Sequence, residues 1–356
     1  MKPALREEPV SASAPHEAEI EQSILLGPCA PVGLICGQYK NLAGMVQLGK
    51  KKKNRACDSN NIVIDTEEKK MASWKHILFA ALAASGAILV NAAKPSPGCG
   101  KVRALADGNH TLTVNSKSRW FLLKTPEGGY NNTHPYRLIF TLHAMGGNST
   151  MVANGEGGYL PWYGLPAFTS KDALSAIYVA PNGLDRGWAN RGGEDVALIG
   201  EIARSVKADL CVDENLMFSV GFSYGASMSY ALACSMAKDF RAVAVQSGGN
   251  MSGCATTPST PIALYGQHGV DNDLNITTAR VIRDQFVKLN GCTSQAKPPP
   301  AVGSGTHTKT VYEGCREGFP VTWIEYDGGH TPQPRDKGQN MTYAATETWS
   351  FFSQFT

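Results

Sequence analysis

The sequence has little surplus of either charge. Lys+Arg number 33 against 30 Asp+Glu, and charged residues make up only 18% of the 356. Residues 94–356 hold 22 Lys+Arg and 21 Asp+Glu. Nucleic-acid binders cluster basic residues within the folded part, so no nucleic-acid partner is expected. There is no Cys-x-x-Cys and no His-Glu-x-x-His, so neither redox chemistry nor a zinc site has a motif behind it. No metal and no cofactor are expected. No internal repeat or linker divides residues 94–356. Hydrophobic residues reach 42% and glycine counts 37. That composition excludes a coiled coil, a collagen and a largely disordered chain.

The first 70 residues are unlike the rest. They carry an acidic patch (Glu17, Glu19, Glu21), a run of four lysines (Lys50 to Lys53) and no sustained helical or strand period. Then Lys75 and His76 precede an uncharged apolar stretch, Ile77 to Val90, and Val90-Asn91-Ala92 ends it with short side chains. A basic start, an apolar middle and a small-residue cut make a secretory signal peptide. The stretch is shorter than the roughly 20 residues of a membrane span. The expected organisation is therefore a gene-model extension or disordered tail over 1–70, a signal peptide over 71–93 and a catalytic domain over 94–356. The competing arrangement is a signal anchor with the lysine run on the cytoplasmic side.

Export agrees with the cysteines. Cys29, Cys36 and Cys57 precede the cut, and six follow it: Cys99, Cys211, Cys234, Cys254, Cys292 and Cys315. An even number in an exported chain implies disulfides, without choosing the connectivity. Cys292 with Cys315 is favoured, because both follow a glycine in loop-like segments around Pro298–Pro300. Six Asn-x-Ser/Thr sequons begin at Asn109, Asn131, Asn148, Asn250, Asn275 and Asn340; in an exported chain they are acceptor sites for glycans.

Over 94–356 the hydrophobic pattern alternates between short apolar runs and helical periods. Strands are predicted at 110–115, 120–123, 138–142, 176–180, 216–220, 241–245, 262–265 and 321–326. Helices are predicted at 194–207, 224–237, 276–289 and 343–355. Strands apolar on both faces alternating with helices predict a mostly parallel α/β sheet in a single domain.

Gly221-Phe222-Ser223-Tyr224-Gly225 is the chain's one Gly-x-Ser-x-Gly. The pattern is short, and its context gives it weight. An apolar strand enters it and a helix of small residues leaves it, the strand–turn–helix elbow that exposes a nucleophilic serine. The competing reading is an ordinary glycine-containing turn. A base must follow Ser223, and the order in this kind of sheet is serine, acid, histidine. His330 follows the strand at 321–326 and is the expected base. His307 lies in a Gly/Ser/Thr-rich segment and is read as solvated, and His268 ends a strand beside better acids. The acid is sought in Gly269-Val270-Asp271-Asn272-Asp273, with Asp271 the first choice and Asp273 the second. Whichever is not used could cap the next helix. Two backbone N–H groups should hold the oxyanion. Tyr224 supplies one, and Ala144 or Met145 in His143-Ala144-Met145-Gly146-Gly147 supplies the other. A metal reading of His143, His268 and the Asp pair has no ligand spacing behind it. Trp162, Tyr163 and Trp188 follow strand ends and are candidates for the walls of an aromatic slot, or else loop packing.

The run Gly221 to Cys234, with Phe240 to Val245, Ala180 to Asn190, Gly193 to Val196 and Ser252-Gly253-Cys254, resembles the secreted fungal feruloyl esterases of carbohydrate esterase family 1. The resemblance extends over nearly all of 94–356. It implies an α/β-hydrolase fold, a Ser-Asp-His triad at Ser223, Asp271 and His330, and cleavage of hydroxycinnamate esters from plant cell-wall polysaccharide such as arabinoxylan. The acid loop is one residue shorter than the family's pattern, which keeps Asp273 in play. No appended carbohydrate-binding module is resembled. Acetylxylan esterase and polyhydroxyalkanoate depolymerase share the chemistry, and a non-catalytic wall-binding protein would share the scaffold.

Overall fold

In a computed structural model of the chain, the described residues are 92–254, 258–271 and 273–356. The tail over 1–70 and all but the end of the expected signal peptide lie outside them. A nine-stranded sheet organises this part. Its strands are β1 (Gly108–Val114), β2 (Lys117–Lys124), β3 (Tyr136–Leu142), β4 (Ala176–Pro181), β5 (Val212–Phe222), β6 (Ala242–Gln246), β7 (Ala263–Gly269), β8 (His307–Val311) and β9 (Val321–Tyr326). They lie in the order β1-β2-β4-β3-β5-β6-β7-β9-β8. Pairing is parallel from β4 through β9 and antiparallel at both margins. This is the mostly parallel α/β-hydrolase sheet expected from the sequence. Strand β8 is not among the predicted strands. Its sequence, His-Thr-Lys-Thr-Val, is polar because it is an edge strand with little buried surface.

Five helices matter for the site: α1 (Ser149–Asn154), α2 (Glu194–Asp209), α3 (Tyr224–Ser235), α4 (Ile276–Leu289) and α5 (Ala344–Ser353). They bury both faces of the sheet, which is why the central strands are apolar throughout. On one face Leu138, Phe140, Met217 and Val243 pack with Leu198, Ile202 and Val206 of α2 and with Ile282 and Phe286 of α4. On the other, Ile139, Tyr178, Phe218, Val220, Tyr265 and Ile324 pack with Phe351 and Phe352 of α5. Period-2 alternation along each strand sends neighbouring residues to opposite cores. Helix α3 lies deepest, and its small residues Ala226, Ser227, Ala231 and Ala233 are buried.

Three disulfides tie the loops: Cys99–Cys211, Cys234–Cys254 and Cys292–Cys315. The last is the pair favoured from sequence. Among the described residues no helix is long and apolar enough to cross a membrane.

Candidate active site

Strands β3, β5 and β6 end side by side, with Leu142 opposite Gly221 and Phe222 opposite Gln246. Loops leaving these carboxyl ends of an open parallel sheet form its crevice. At the end of β5 the chain turns sharply into α3. Ser223 sits at the turn with φ 57° and ψ −117°, a left-handed-side conformation that side chains avoid. The flanking glycines are a steric necessity. A Cβ on Gly221 would come 2.2 Å from the Gly225 carbonyl carbon, and one on Gly225 would come 2.2 Å from the Leu142 oxygen. The strained turn aims the Ser223 hydroxyl out of the sheet at His330.

Ser223 Oγ donates to His330 Nε2 across 2.8 Å. His330 Nδ1 donates in turn to Asp273 Oδ1 across 2.7 Å. The Phe222 ring lies against the imidazole, with centroids 4.5 Å apart. The Asp273 carboxylate is buried at 1% side-chain exposure, whereas the His330 side chain keeps 33%. Asp273 is saturated with donors: Gly269 N–H and Ser247 Oγ, each at 2.7 Å, and Leu274 N–H at 2.6 Å. Burial alone would raise its carboxyl. The His330 bond, the nearby His268 and the Ser247 and Gly269 bonds outweigh that and hold it down at about 2. An anion held this firmly favours one imidazole tautomer and stabilises a proton gained at Nε2.

The first-choice acid, Asp271, is corrected by this geometry. Its N–H follows the chain across to the Gly328 oxygen at 3.4 Å. Among the described residues its carboxylate meets neither His330 nor another hydrogen-bond partner. The chain needs two further residues to fold back, and only then does a carboxylate reach Gly269 N–H and the imidazole. Asp273 is also not the helix cap; Asn275 caps α4 by accepting from Thr277 N–H.

The loop after β3, where an oxyanion donor is expected, is held from below by His143, which is fully buried. Its Nε2 accepts from Gly183 N–H at 3.0 Å, so the proton is on Nδ1, which donates to the Ala144 oxygen at 2.8 Å. Burial drives this imidazole down to about 4, so it stays neutral near pH 7, with both nitrogens engaged. In the planar trans peptide the Met145 N–H points opposite the Ala144 carbonyl, so the His143 bond also orients that N–H. Ala144 is corrected as an oxyanion donor, because its N–H is already given to Tyr159 Oη at 2.7 Å. Among the described residues neither Met145 N–H nor Tyr224 N–H has an acceptor. Tyr224 opens α3, where the first N–H groups have no intrahelical partner.

The expected slot aromatics are also corrected. Trp188 is fully buried, with its ring on His143 at 4.7 Å and its Nε1 donating to the His143 oxygen at 2.7 Å. Trp162 is buried against Tyr178 in the core. Tyr163 is buried with its hydroxyl between Leu142 and Phe222. They follow strand ends, but apolar rings there are drawn under the loops rather than left lining a cleft. His307, expected in solvent, begins β8 and donates from Nδ1 to Asp336 at 2.8 Å. His268 is buried, with Nε2 on the Leu274 oxygen at 2.8 Å. Sequence reasoning missed Tyr159, Ser247 and Tyr326. Tyr326 Oη lies 3.0 Å from Ser247 Oγ and donates to the Gly329 oxygen, also at 3.0 Å. None belongs to a motif; Ser247 just past β6 and Tyr326 at the end of β9 had their strand ends as a hint, and Tyr159, in the loop after α1, had none.

This arrangement is equipped to deprotonate a serine hydroxyl, hold a tetrahedral oxyanion and protonate a leaving group. No protein-family model matches the chain. Curated relatives do. The chain is 47% identical over 274 residues to feruloyl esterase D of Neurospora crassa, covering 75% of this chain and 92% of that one. It is 44% identical over 277 residues to feruloyl esterase C of Emericella nidulans, covering 78% and 97%. Among solved structures, an acetyl xylan esterase from Aspergillus awamori is similar at 14% identity and TM-score 0.49, over 69% of this chain and 99% of that one. Identity at this level over most of both chains, on a sheet that presents an elbow serine to a histidine, makes the chain a carboxylic ester hydrolase belonging to the fungal feruloyl esterase family.

Proposed function

We propose that the protein hydrolyses feruloyl and related hydroxycinnamoyl esters of plant cell-wall polysaccharide through an acyl-enzyme on Ser223. The observation that carries this reading is the unbroken relay Ser223–His330–Asp273, at 2.8 and 2.7 Å. The names of the relatives supply the acyl group. In the first step the Ser223 hydroxyl proton passes to His330 Nε2 as Oγ attacks the ester carbonyl. Asp273 keeps the imidazole oriented and stabilises the imidazolium. The N–H groups of Met145 and Tyr224 receive the negative oxygen. The sugar alkoxide leaves with the proton from Nε2. Water then attacks the feruloyl-serine with His330 again as base, releasing ferulate and restoring the serine.

Met145 is apolar and exposed at the oxyanion loop, which suits the flat face of a hydroxycinnamoyl ring. A cavity of about 470 Å³ adjoins the His330 loop, bounded by Gly158, Tyr326, Thr331 and Arg335. Its size falls in the range of ligand sites, and Asp327, Gln333 and Arg335 in its mixed lining offer polar groups to sugar hydroxyls. The proposal extends to export from Met71 with cleavage near Ala92 or Ala93, which N-terminal sequencing of protein from culture medium would test. Recovery of residues 1–70 in a membrane fraction would favour the anchored alternative.

The deciding assay compares methyl ferulate, sinapate, p-coumarate and caffeate with 4-nitrophenyl acetate and acetylated xylan. Release of hydroxycinnamate is expected. Deacetylation of xylan with no hydroxycinnamate release would transfer the function to acetylxylan hydrolysis. Failure of a fluorophosphonate to label Ser223 would make the chain a non-catalytic binder.

A further inference from the structure

One short segment after α1 reaches three of the loops that build the site. The Gly158 oxygen accepts from Gln333 Nε2 at 2.7 Å, on the loop that follows His330. Tyr159 Oη accepts from Ala144 N–H at 2.7 Å, on the oxyanion loop. Tyr163 Oη donates to the Leu142 oxygen at 2.6 Å and accepts from Phe222 N–H at 2.8 Å. Leu142 is the last residue of β3 and Phe222 the last of β5, just where the parallel ladder between them ends. The Tyr163 hydroxyl therefore continues the ladder by one side-chain rung. The two tyrosine rings meet edge to face at 5.4 Å, and Tyr159 also meets Phe222, the residue packed on His330.

The backbone pays for this placement. Trp162 and Tyr163 have φ of 52° and 61°, in the left-handed region that side chains avoid. Such conformations persist where the surroundings over-determine them, and they gather at functional sites. Both tyrosines are buried, and burial pushes the Tyr159 hydroxyl up to about 12 and that of Tyr163 well above its ordinary value. Both hydroxyls thus stay protonated across any working pH, and the rung is permanent.

We propose that Tyr159 and Tyr163 are positioning residues that set the spacing of the oxyanion hole. The inference rests on the serine-esterase reading above. Tyr163 fixes the gap between the ends of β3 and β5, hence between the Met145 and Tyr224 N–H groups. Tyr159 fixes the Ala144 amide, so that the following N–H, that of Met145, faces Ser223. Neither touches substrate. Their contribution belongs to the transition state, where the oxyanion exists, and not to ground-state binding.

The test is Tyr163→Phe and Tyr159→Phe, each keeping its ring, assayed with 4-nitrophenyl acetate so that acyl preference does not enter. Each folded variant should lose about 10- to 100-fold in kcat with KM within about twofold. Phosphonylation of Ser223, which also needs the oxyanion hole, should slow in step with kcat. Folded variants with kcat near wild type, or a loss carried by KM alone, would overturn the proposal. So would unfolding of both, which would make the tyrosines packing residues. A wild type that cleaves 4-nitrophenyl acetate but no hydroxycinnamate would end the substrate reading and leave this inference standing. An active Ser223→Ala variant would end the serine reading on which both rest.

Discussion

His330 Nδ1 lies 2.7 Å from Asp273 Oδ1, and the buried end of that bond is fixed by three further donors: Ser247 just after β6, Gly269 at the end of β7 and Leu274 in the acid loop itself. Asp273→Asn should therefore lower kcat by about 10⁴-fold, the scale seen when a triad histidine is left in the wrong tautomer. Asp271→Asn should change kcat by less than about threefold, since it removes a carboxylate that the imidazole never meets; surface changes of this kind are usually small. Steady-state kinetics of the two variants decide between them, and the reverse ranking would return the acid to Asp271.

Ser223→Ala should remove at least about 10³-fold of kcat while leaving the fold intact. Circular dichroism and a fluorophosphonate label read the two halves of that statement. Retained turnover with unlabelled protein would exclude Ser223 as nucleophile.

Stability should fall in acid through Asp273. Its folded-state carboxyl is held at about 2 against an ordinary 3.8, so the unfolded chain takes up the proton first. The stabilisation is complete above about pH 4 and is lost as pH falls through about 2, and its size is about 2 kcal/mol. Guanidinium unfolding of wild type and Asp273→Asn between about pH 5 and pH 2 should show the gap between the two proteins closing towards acid. A gap independent of pH would contradict this.

The six cysteines after residue 94 should give no free thiol after unfolding without reductant. Cys234 and Cys254 are 20 residues apart, and opening that loop by a double alanine substitution should cost about 3 kcal/mol. Opening the 112-residue separation of Cys99 and Cys211 should cost about 5 kcal/mol. Denaturation midpoints with unchanged slopes would give both figures, and thiol titration checks the pairing state.

Met145→Ala should act on the acyl group more than on the chemistry. Its backbone N–H is kept, while an exposed thioether is lost from the oxyanion loop. About fivefold in kcat/KM, or about 1 kcal/mol, should be lost on methyl ferulate and little on 4-nitrophenyl acetate. Equal losses on both esters would place the effect in the oxyanion hole instead.

What was legible in the sequence was local or ordered along the chain. Gly221 to Gly225 could be read as an elbow because strand, turn and helix are contiguous and the glycines answer a short-range clash. His330 could be read from its place after the last parallel strand, and the sheet from strands apolar on both faces. The choice between Asp271 and Asp273 could not be read. Two carboxylates two residues apart differ only in which one meets Ser247, brought by β6, and His330, brought by the loop after β9. Nor could the fate of Trp162, Tyr163 and Trp188, since an aromatic after a strand end lines a cleft or lies under a loop according to what packs over it. The hydroxyls of Tyr159 and Tyr163 find backbone partners 15 to 59 residues away. Those partners are brought together by the folded loops and strand ends, so no local pattern announces them; tertiary structure decided these, because the groups that determine each role come from separate strands and loops.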